Sequence, residues 1–503
     1  MATVVMTETA PERCRFDWLQ YPRRLLGSLT FRRKSCPIQR LPDELLSYVF
    51  LFAMNDSDAI TEAAVTPITI SHVGTRWRRV ALSTSKLWTS INLALPYTPA
   101  QVSRMRAWLL RSRSCPLDIL LDFRDPDWSW DEDAHIFTSQ QMQGTMAYLL
   151  PHVTRWRSFD LLCDTWHPIF TFLSLSQHVD SAPFLRRIAL SRCNAYFALK
   201  GQAFAPAALK QPVPLLGKLP PGSLCSISLA GVHVDWSSTA LRGLTELELK
   251  YHASEVMPSL KEFAGILTAC PQLRGLSIIG WGPRFDVNDF DGVTEDDASA
   301  GPSTAPLLHL LRFAMGFLDI TYAIQLLRSL AMPCLEDLAL EDVSRSLNPE
   351  EAQDATPLLE WLAAPLPSTS TPESPLQLSH VSSLHLNGIS ASKASFAVFA
   401  DRLRSLRALH ITNVDDDMIA ALNPSPTISA LDYHPRCPLL AEVTCDAENI
   451  HALSAVVLSR KDFGCSPFQK IYAMTSETTE IYINDMDCAI FLSSGVQLFV
   501  IPS

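Results

Sequence analysis

Leu244-Thr245-Glu246-Leu247-Glu248-Leu249-Lys250 places Leu247 and Leu249 on one side of an extended chain and Glu246, Glu248 and Lys250 on the other. A buried strand with one polar face needs that pattern, and the chain repeats it. The spacing apolar-x-x-apolar-x-apolar occurs at Trp156/Phe159/Leu161, Leu185/Ile188/Leu190, Leu224/Ile227/Leu229 and Leu273/Leu276/Ile278. It returns at Leu308/Leu311/Phe313, Leu335/Leu338/Leu340, Val381/Leu384/Leu386, Leu406/Leu409/Ile411 and Leu440/Val443/Cys445. A proline precedes several of these, as in Cys270-Pro271-Gln272-Leu273, where it ends a helix before the strand begins. Helix-like stretches lie between them at Leu260–Leu267, Tyr322–Leu330 and Phe396–Leu403. Strand and helix thus alternate over residues 151–503, at intervals of 20 to 46 residues, which predicts an α/β array.

Upstream, Leu41-Pro42-Asp43-Glu44-Leu45-Leu46 opens a different kind of segment. Pro42 suits the first turn of a helix, where its missing N–H is not needed, and Asp43 and Glu44 sit at the positive end of the dipole. Leu45, Leu46, Val49, Phe50 and Ala53 recur at helical spacing and form one broad apolar face. Asn55-Asp56-Ser57-Asp58 reads as a loop. A second helix is predicted after Pro67, with Ile70, Val73, Trp77, Val80 and Ala81 on one face and Arg76, Arg78 and Arg79 on the other. Ser83-Thr84-Ser85 ends it, and Leu87-Trp88 plugs the bottom before a short strand at Ser90–Leu93. So small a bundle cannot bury two broad apolar faces internally, so the surplus must meet a partner or the rest of the chain.

Three blocks in order, Leu41-Pro42-x-Glu44-Leu45-Leu46, Ile70-Ser71-His72-Val73-Gly74-Thr75-Arg76-Trp77-Arg78 and Ala81-Leu82-Ser83-Thr84-x-x-Leu87-Trp88, resemble the F-box, in the version abundant in mushroom-forming fungi. Gly74 stands where that family usually has Cys. The downstream array resembles a divergent leucine-rich repeat. Together the resemblances imply an α/β chain with a small N-terminal helical F-box followed by an irregular leucine-rich-repeat solenoid. The expected division is a poorly ordered segment at 1–37, the F-box at 38–93, a linker and start of the repeat region at 94–150, and the repeat domain at 151–503. The F-box resemblance implies a substrate-recognition adaptor that binds a Skp adaptor, and through it a cullin, in a ubiquitin ligase. Leu41, Pro42, Leu45, Leu46, Val49 and Val73 are expected on the Skp-facing surface, and Trp77 and Trp88 either there or in the internal core. The repeat domain would carry an unknown protein substrate, with nothing in the sequence to pick out positions. The alternative is a non-catalytic repeat scaffold acting outside any ligase.

Bulk properties agree with an adaptor. The net charge of −11 argues against a nucleic-acid partner, which needs a basic face. Hydrophobic residues make up 47% of the 503, and mean hydropathy is +0.11, enough for a large core. The 12 cysteines include no C-x-x-C pair, so reduced thiols are expected rather than zinc or disulfides. No signal peptide and no apolar run of membrane-spanning length is evident; Ala489–Pro502 is too short and reads as a final buried strand. A cytoplasmic or nuclear protein is expected. The basic residues of 1–37, Arg13 to Lys34, read as a solvated tail or a nuclear-import signal.

No phosphate-binding loop, dinucleotide fingerprint, zinc-protease helix or nucleophile elbow is present. Asp125, Asp127, Asp131, Glu132 and Asp133, interleaved with Trp128 and Trp130, cluster in a loop beside Pro126 rather than on facing rigid elements, which disfavours acid/base chemistry. The acidic insertion Phe285–Ser303 fails as a calcium loop, because setting Gly292 at the sharp turn puts Val287 and Ala298 at ligand positions. The Leu366–Pro375 stretch, rich in Pro, Ser and Thr, reads as a surface loop. No enzyme activity, cofactor or metal is expected.

Overall fold

The computed structural model describes residues 37–55, 60–193, 199–217, 219–220, 222–285, 305–348, 351–364, 378–426, 433–434, 436–463, 468–475 and 484–502. The basic N-terminal tail, the loop at 56–59, the acidic insertion and the Pro/Ser/Thr-rich stretch lie outside them.

One sheet organises the described chain. It has fourteen strands, all parallel, and each pairs with the strand that follows it in the sheet's sequence order. Nine of the ten apolar repeats place their last two residues in one of these strands, from Trp156–Cys163 to Glu442–Asp446. The unit expected at Leu308/Leu311/Phe313 is corrected to Leu310/Phe313/Met315, because Phe313 aligns with Leu276 and Leu338 while Leu308 is exposed and Leu311 precedes the strand. Register is straight: Leu247, Leu276, Phe313, Leu338, Leu384, Leu409 and Val443 lie side by side on successive strands. All are at most 2% exposed, so a one-residue slip would turn an entire buried row to solvent.

Helices return the chain between many of the strands. Leu260–Thr268 begins with a capping box between Ser259 and Glu262, Ile320–Arg328 is capped by Asp319, and Lys393–Arg402 by Ser392. Phe263, Ile266, Leu326, Leu327, Phe396 and Phe399 on these helices join the strand residues in a continuous core that runs from Leu46 to Val496.

Residues 94–150 contribute to the same body. The helix Pro99–Arg111 leads into the strand Leu117–Phe123, and Ser139–Leu149 leads into the next. At the far end, the stretch expected as one buried strand divides. Its first residues finish the helix Asp485–Ser493, which Asn484 caps; Gly495 turns with φ 74°; and only Gln497–Pro502 is extended. That strand is half-exposed rather than buried, because it is the edge of the sheet.

The N-terminal segment forms three helices, α1 (Asp43–Asn55), α2 (Ile60–His72) and α3 (Thr75–Ser83), then a tight turn at Ser85–Trp88 and the first strand, Ser90–Ala94. The predicted single helix after Pro67 is therefore corrected. Pro67 lies inside α2, and the break comes at Val73-Gly74, where Gly74 is extended and caps α3. Pro42 stands one residue before α1 and accepts its first backbone bond, from Leu46 N–H.

One buried group ties this fold to pH. His252 is 0% exposed, with Nδ1 2.8 Å from the Val232 carbonyl oxygen and Nε2 3.0 Å from that of Leu229. Only a doubly protonated ring could donate to both, yet complete burial outweighs this and pulls the pKa down to about 4. A depressed folded value means the unfolded chain takes up the proton first, so stability is full above the ordinary histidine range and is lost as pH falls towards 4. Between pH 7 and pH 5 this group costs about 2 kcal/mol. Urea titrations at the two pH values should show that loss in the wild type and a smaller one in His252→Gln; equal losses would remove His252 from the acid response.

Candidate protein-docking surface

α1 carries apolar residues on two faces, and the fold uses one of them. Leu46 and Phe50, one turn apart, are 0% and 1% exposed and pack among Ile70, Val80, Ala81, Leu87 and Trp88. The Phe50 ring lies 4.9 Å from that of Trp77. Trp88 donates its indole N–H to the Ala81 carbonyl at 2.8 Å and meets Trp108 edge-on at 4.7 Å, with the Arg111 guanidinium 4.5 Å over its ring. These contacts seat the module against the first turn of the sheet.

The other face is open. Leu45, Tyr48, Val49 and Phe52, spaced i, i+3, i+4 and i+7, are 50%, 61%, 40% and 72% exposed. Val73 and Leu82 of the same module are also exposed. A contiguous apolar stripe of this kind on an otherwise well-packed unit marks an interaction site.

The residues expected to face a partner therefore divide. Leu45, Val49, Val73 and Pro42 are exposed, and Leu41 is half-buried. Leu46 is corrected to the module's core, because its own chain shields it; of the two alternatives for Trp88 the internal core is the one observed, and Trp77 is half-buried against Phe50. Tyr48 and Phe52, at helical spacing from Leu45, extend this surface beyond the expected residues.

The turn that presents Leu41 and Pro42 is held from α3. Arg76 reaches Asp43 Oδ1 through Nε at 2.9 Å and Nη2 at 2.7 Å, donates through Nη1 to the Gln39 carbonyl at 2.7 Å, and also bonds the Leu41 carbonyl. Arg79 adds a contact to Asp43 Oδ2 at 3.1 Å. The forked guanidinium of Arg76 holds the Asp43 carboxyl below its usual value. Arg76 thus staples α3 to the start of α1, with Arg79 adding a solvent-exposed contact to the same carboxylate.

The carboxylate cluster of the 125–133 loop is occupied structurally. Asp164 accepts from Asp125 N–H at 2.6 Å and lies 3.1 Å from His135 Nε2. Glu132 pairs with the buried Arg192 and accepts from Trp166 N–H at 3.0 Å. These groups fasten the loop over the strand ends. Among the described residues, no group of three or more His, Cys, Asp or Glu is placed to hold a metal ion, and no helix is long and apolar enough to cross a membrane. No protein-family model matches the sequence, and no curated protein resembles it significantly.

Proposed function

We propose that the chain is a substrate-recognition adaptor: residues 38–93 form an F-box that docks on a Skp adaptor, and the long sheet is an irregular leucine-rich-repeat surface for a protein cargo. The open Leu45/Tyr48/Val49/Phe52 stripe carries this reading, on a module whose Leu46, Phe50, Ile70, Val80, Ala81, Leu87 and Trp88 are buried in the core. The sequential, all-parallel strand order supports a repeat array, because such an order arises when each unit contacts mainly its neighbours. The adaptor needs no catalytic group of its own. Its contribution is effective concentration, since a cargo tethered beside the transfer machinery reacts as if in the same molecule.

The test is recovery of Skp adaptor and cullin with the full chain. Both should co-purify with the wild type and be lost in Leu41→Ala combined with Pro42→Ala. Adaptor recovered without cullin would overturn the ligase and leave a scaffold. Arg76→Lys should weaken adaptor binding about tenfold, because a lysine cannot fork between Asp43 and the Gln39 and Leu41 carbonyls that set the turn. A titration by calorimetry would show this, and unchanged affinity would mean the turn needs no clamp.

A further inference from the structure

The polar face of the sheet has a depression in its middle, and its cause is the register. Glu248, Ser277, Ala314, Ala339 and His385 lie side by side on five adjacent strands. Three short side chains between two long ones leave a trough, made of two hollows of about 350 and about 320 Å³ that share Lys250, Ser277, Ala314, Ala339 and His385. The hollows merge along the sheet, a shape that suits an extended chain better than a compact small molecule.

Two residues of this trough stand out. The first is Tyr251. In five units the residue just after the strand turns with positive φ: Gly231, Tyr251, Gly280, Gly388 and Asn413. Four are the residue types that tolerate this region, while Tyr251 holds a bulky side chain there at φ 53°. Such strain persists where the side chain is needed. The Tyr251 ring is half-buried and lines the second hollow.

The second is Glu341. The other carboxylates of the trough each have a positive or protonatable neighbour: Glu246 has Arg312 at 2.5 Å, Glu248 has Lys250 at 3.3 Å, and Asp337 has His385 at 3.6 Å. Glu341 accepts only neutral donors, Asn387 Nδ2 at 3.2 Å and Ser346 Oγ at 3.4 Å; no cation among the described residues lies within ion-pair distance, and Lys250, paired with Glu248, acts on it only from farther off. Burial raises its carboxyl above the usual range, and its charge acts on the Tyr251 phenol beside it. An incoming cation would compensate that desolvated carboxylate.

We propose that this trough docks a lysine or arginine side chain borne by an extended segment of a partner polypeptide, with Glu341 pairing with the cation and the Tyr251 ring packing against it. Four carboxylates against Lys250 and Arg312 give the trough an excess of negative charge that matches such a partner. The inference rests on the sheet being the cargo surface and does not depend on the adaptor contact of α1.

The probe is a display library of random short peptides, selected on the full wild-type chain. Enriched peptides should share a lysine or arginine, and its replacement by glutamine should weaken binding about tenfold or more. Glu341→Gln and Tyr251→Asn should each weaken the same peptides comparably. Asparagine already serves the matching turn at Asn413, so Tyr251→Asn should keep the wild-type melting midpoint. Enrichment of peptides without a basic residue, or basic peptides that bind Glu341→Gln as tightly as wild type, would overturn the site. Both variants should still recover the Skp adaptor, so failure here and failure of the ligase reading are separate results.

Discussion

Leu45→Asp combined with Phe52→Asp should reduce binding to the Skp adaptor at least about a hundredfold, with no fall in melting temperature. Each of these side chains is half or more exposed in the free chain, so the fold gains little from it. An exposed substitution clear of core and caps changes stability by about 0.5 kcal/mol or less. On docking, each apolar side chain would bury surface worth about 1.5–3 kcal/mol, and an aspartate in its place would also have to lose its water. Two such changes on one helical face cover more than the expected loss. Calorimetry with purified adaptor reads the affinity, and thermal unfolding reads the fold. Wild-type affinity in the double variant would move the docking surface off α1 altogether.

The strands were legible because the sheet asks little of the sequence beyond period two. In nine of the pattern's ten occurrences, the last two apolar residues lie inside a strand and face the core; in the tenth, Leu311 precedes its strand and the buried spacing is Leu310, Phe313 and Met315. The strands that escaped it show where the rule is too narrow. Leu117–Phe123 alternates cleanly, with Leu117, Ile119, Leu121 and Phe123 all buried, but Ile119 and Leu121 align with Phe159 and Leu161, and Pro116 occupies the place of the leading residue. In Lys470–Thr475 the spacing is present as Phe468, Ile471 and Ala473, and the methyl of Ala473 is too small to register as a repeat residue although it is 0% exposed. Burial, not hydrophobic size, defines these positions.

The docking face was only partly legible, for a geometric reason. Leu45 and Leu46, like Val49 and Phe50, are sequence neighbours and so point about 100° apart on a helix. Periodicity merges them into one wide face and cannot say which half turns inward. The choice is tertiary: α1 packs against α2, α3 and the Ser85–Trp88 turn with Leu46 and Phe50 buried, which leaves Leu45, Tyr48, Val49 and Phe52 outside. The Arg76 clamp joins residues 33 to 37 apart in sequence and leaves no local mark. Tyr251 did leave one, since a tyrosine follows a strand where related turns carry glycine or asparagine, but only the backbone angles identify those turns as equivalent.

The inward face of α1 should fail in the opposite way. Phe50→Ala removes a ring that is 1% exposed and lies 4.9 Å from Trp77, in the core that also holds Leu46 and the α3 residues Val80 and Ala81. Phenylalanine-to-alanine changes in a packed core cost about 3–5 kcal/mol, because the cavity closes only in part. Three short helices have little other apolar contact to draw on, so that cost approaches what holds the module shut. The loss should stay local. The strands from Glu246–Lys250 onward keep their own ladders and cores, so amides in α1, α2 and α3 should lose hydrogen-exchange protection while those of Ser383–Asn387 keep it. Adaptor binding should fall with the module, here through unfolding rather than through a lost contact, and the melting curve tells the two variants apart. A Phe50→Ala chain that retains full protection in α1 would mean that the seat on Trp88 and Trp108, and not the Phe50–Trp77 packing, holds the helix in place.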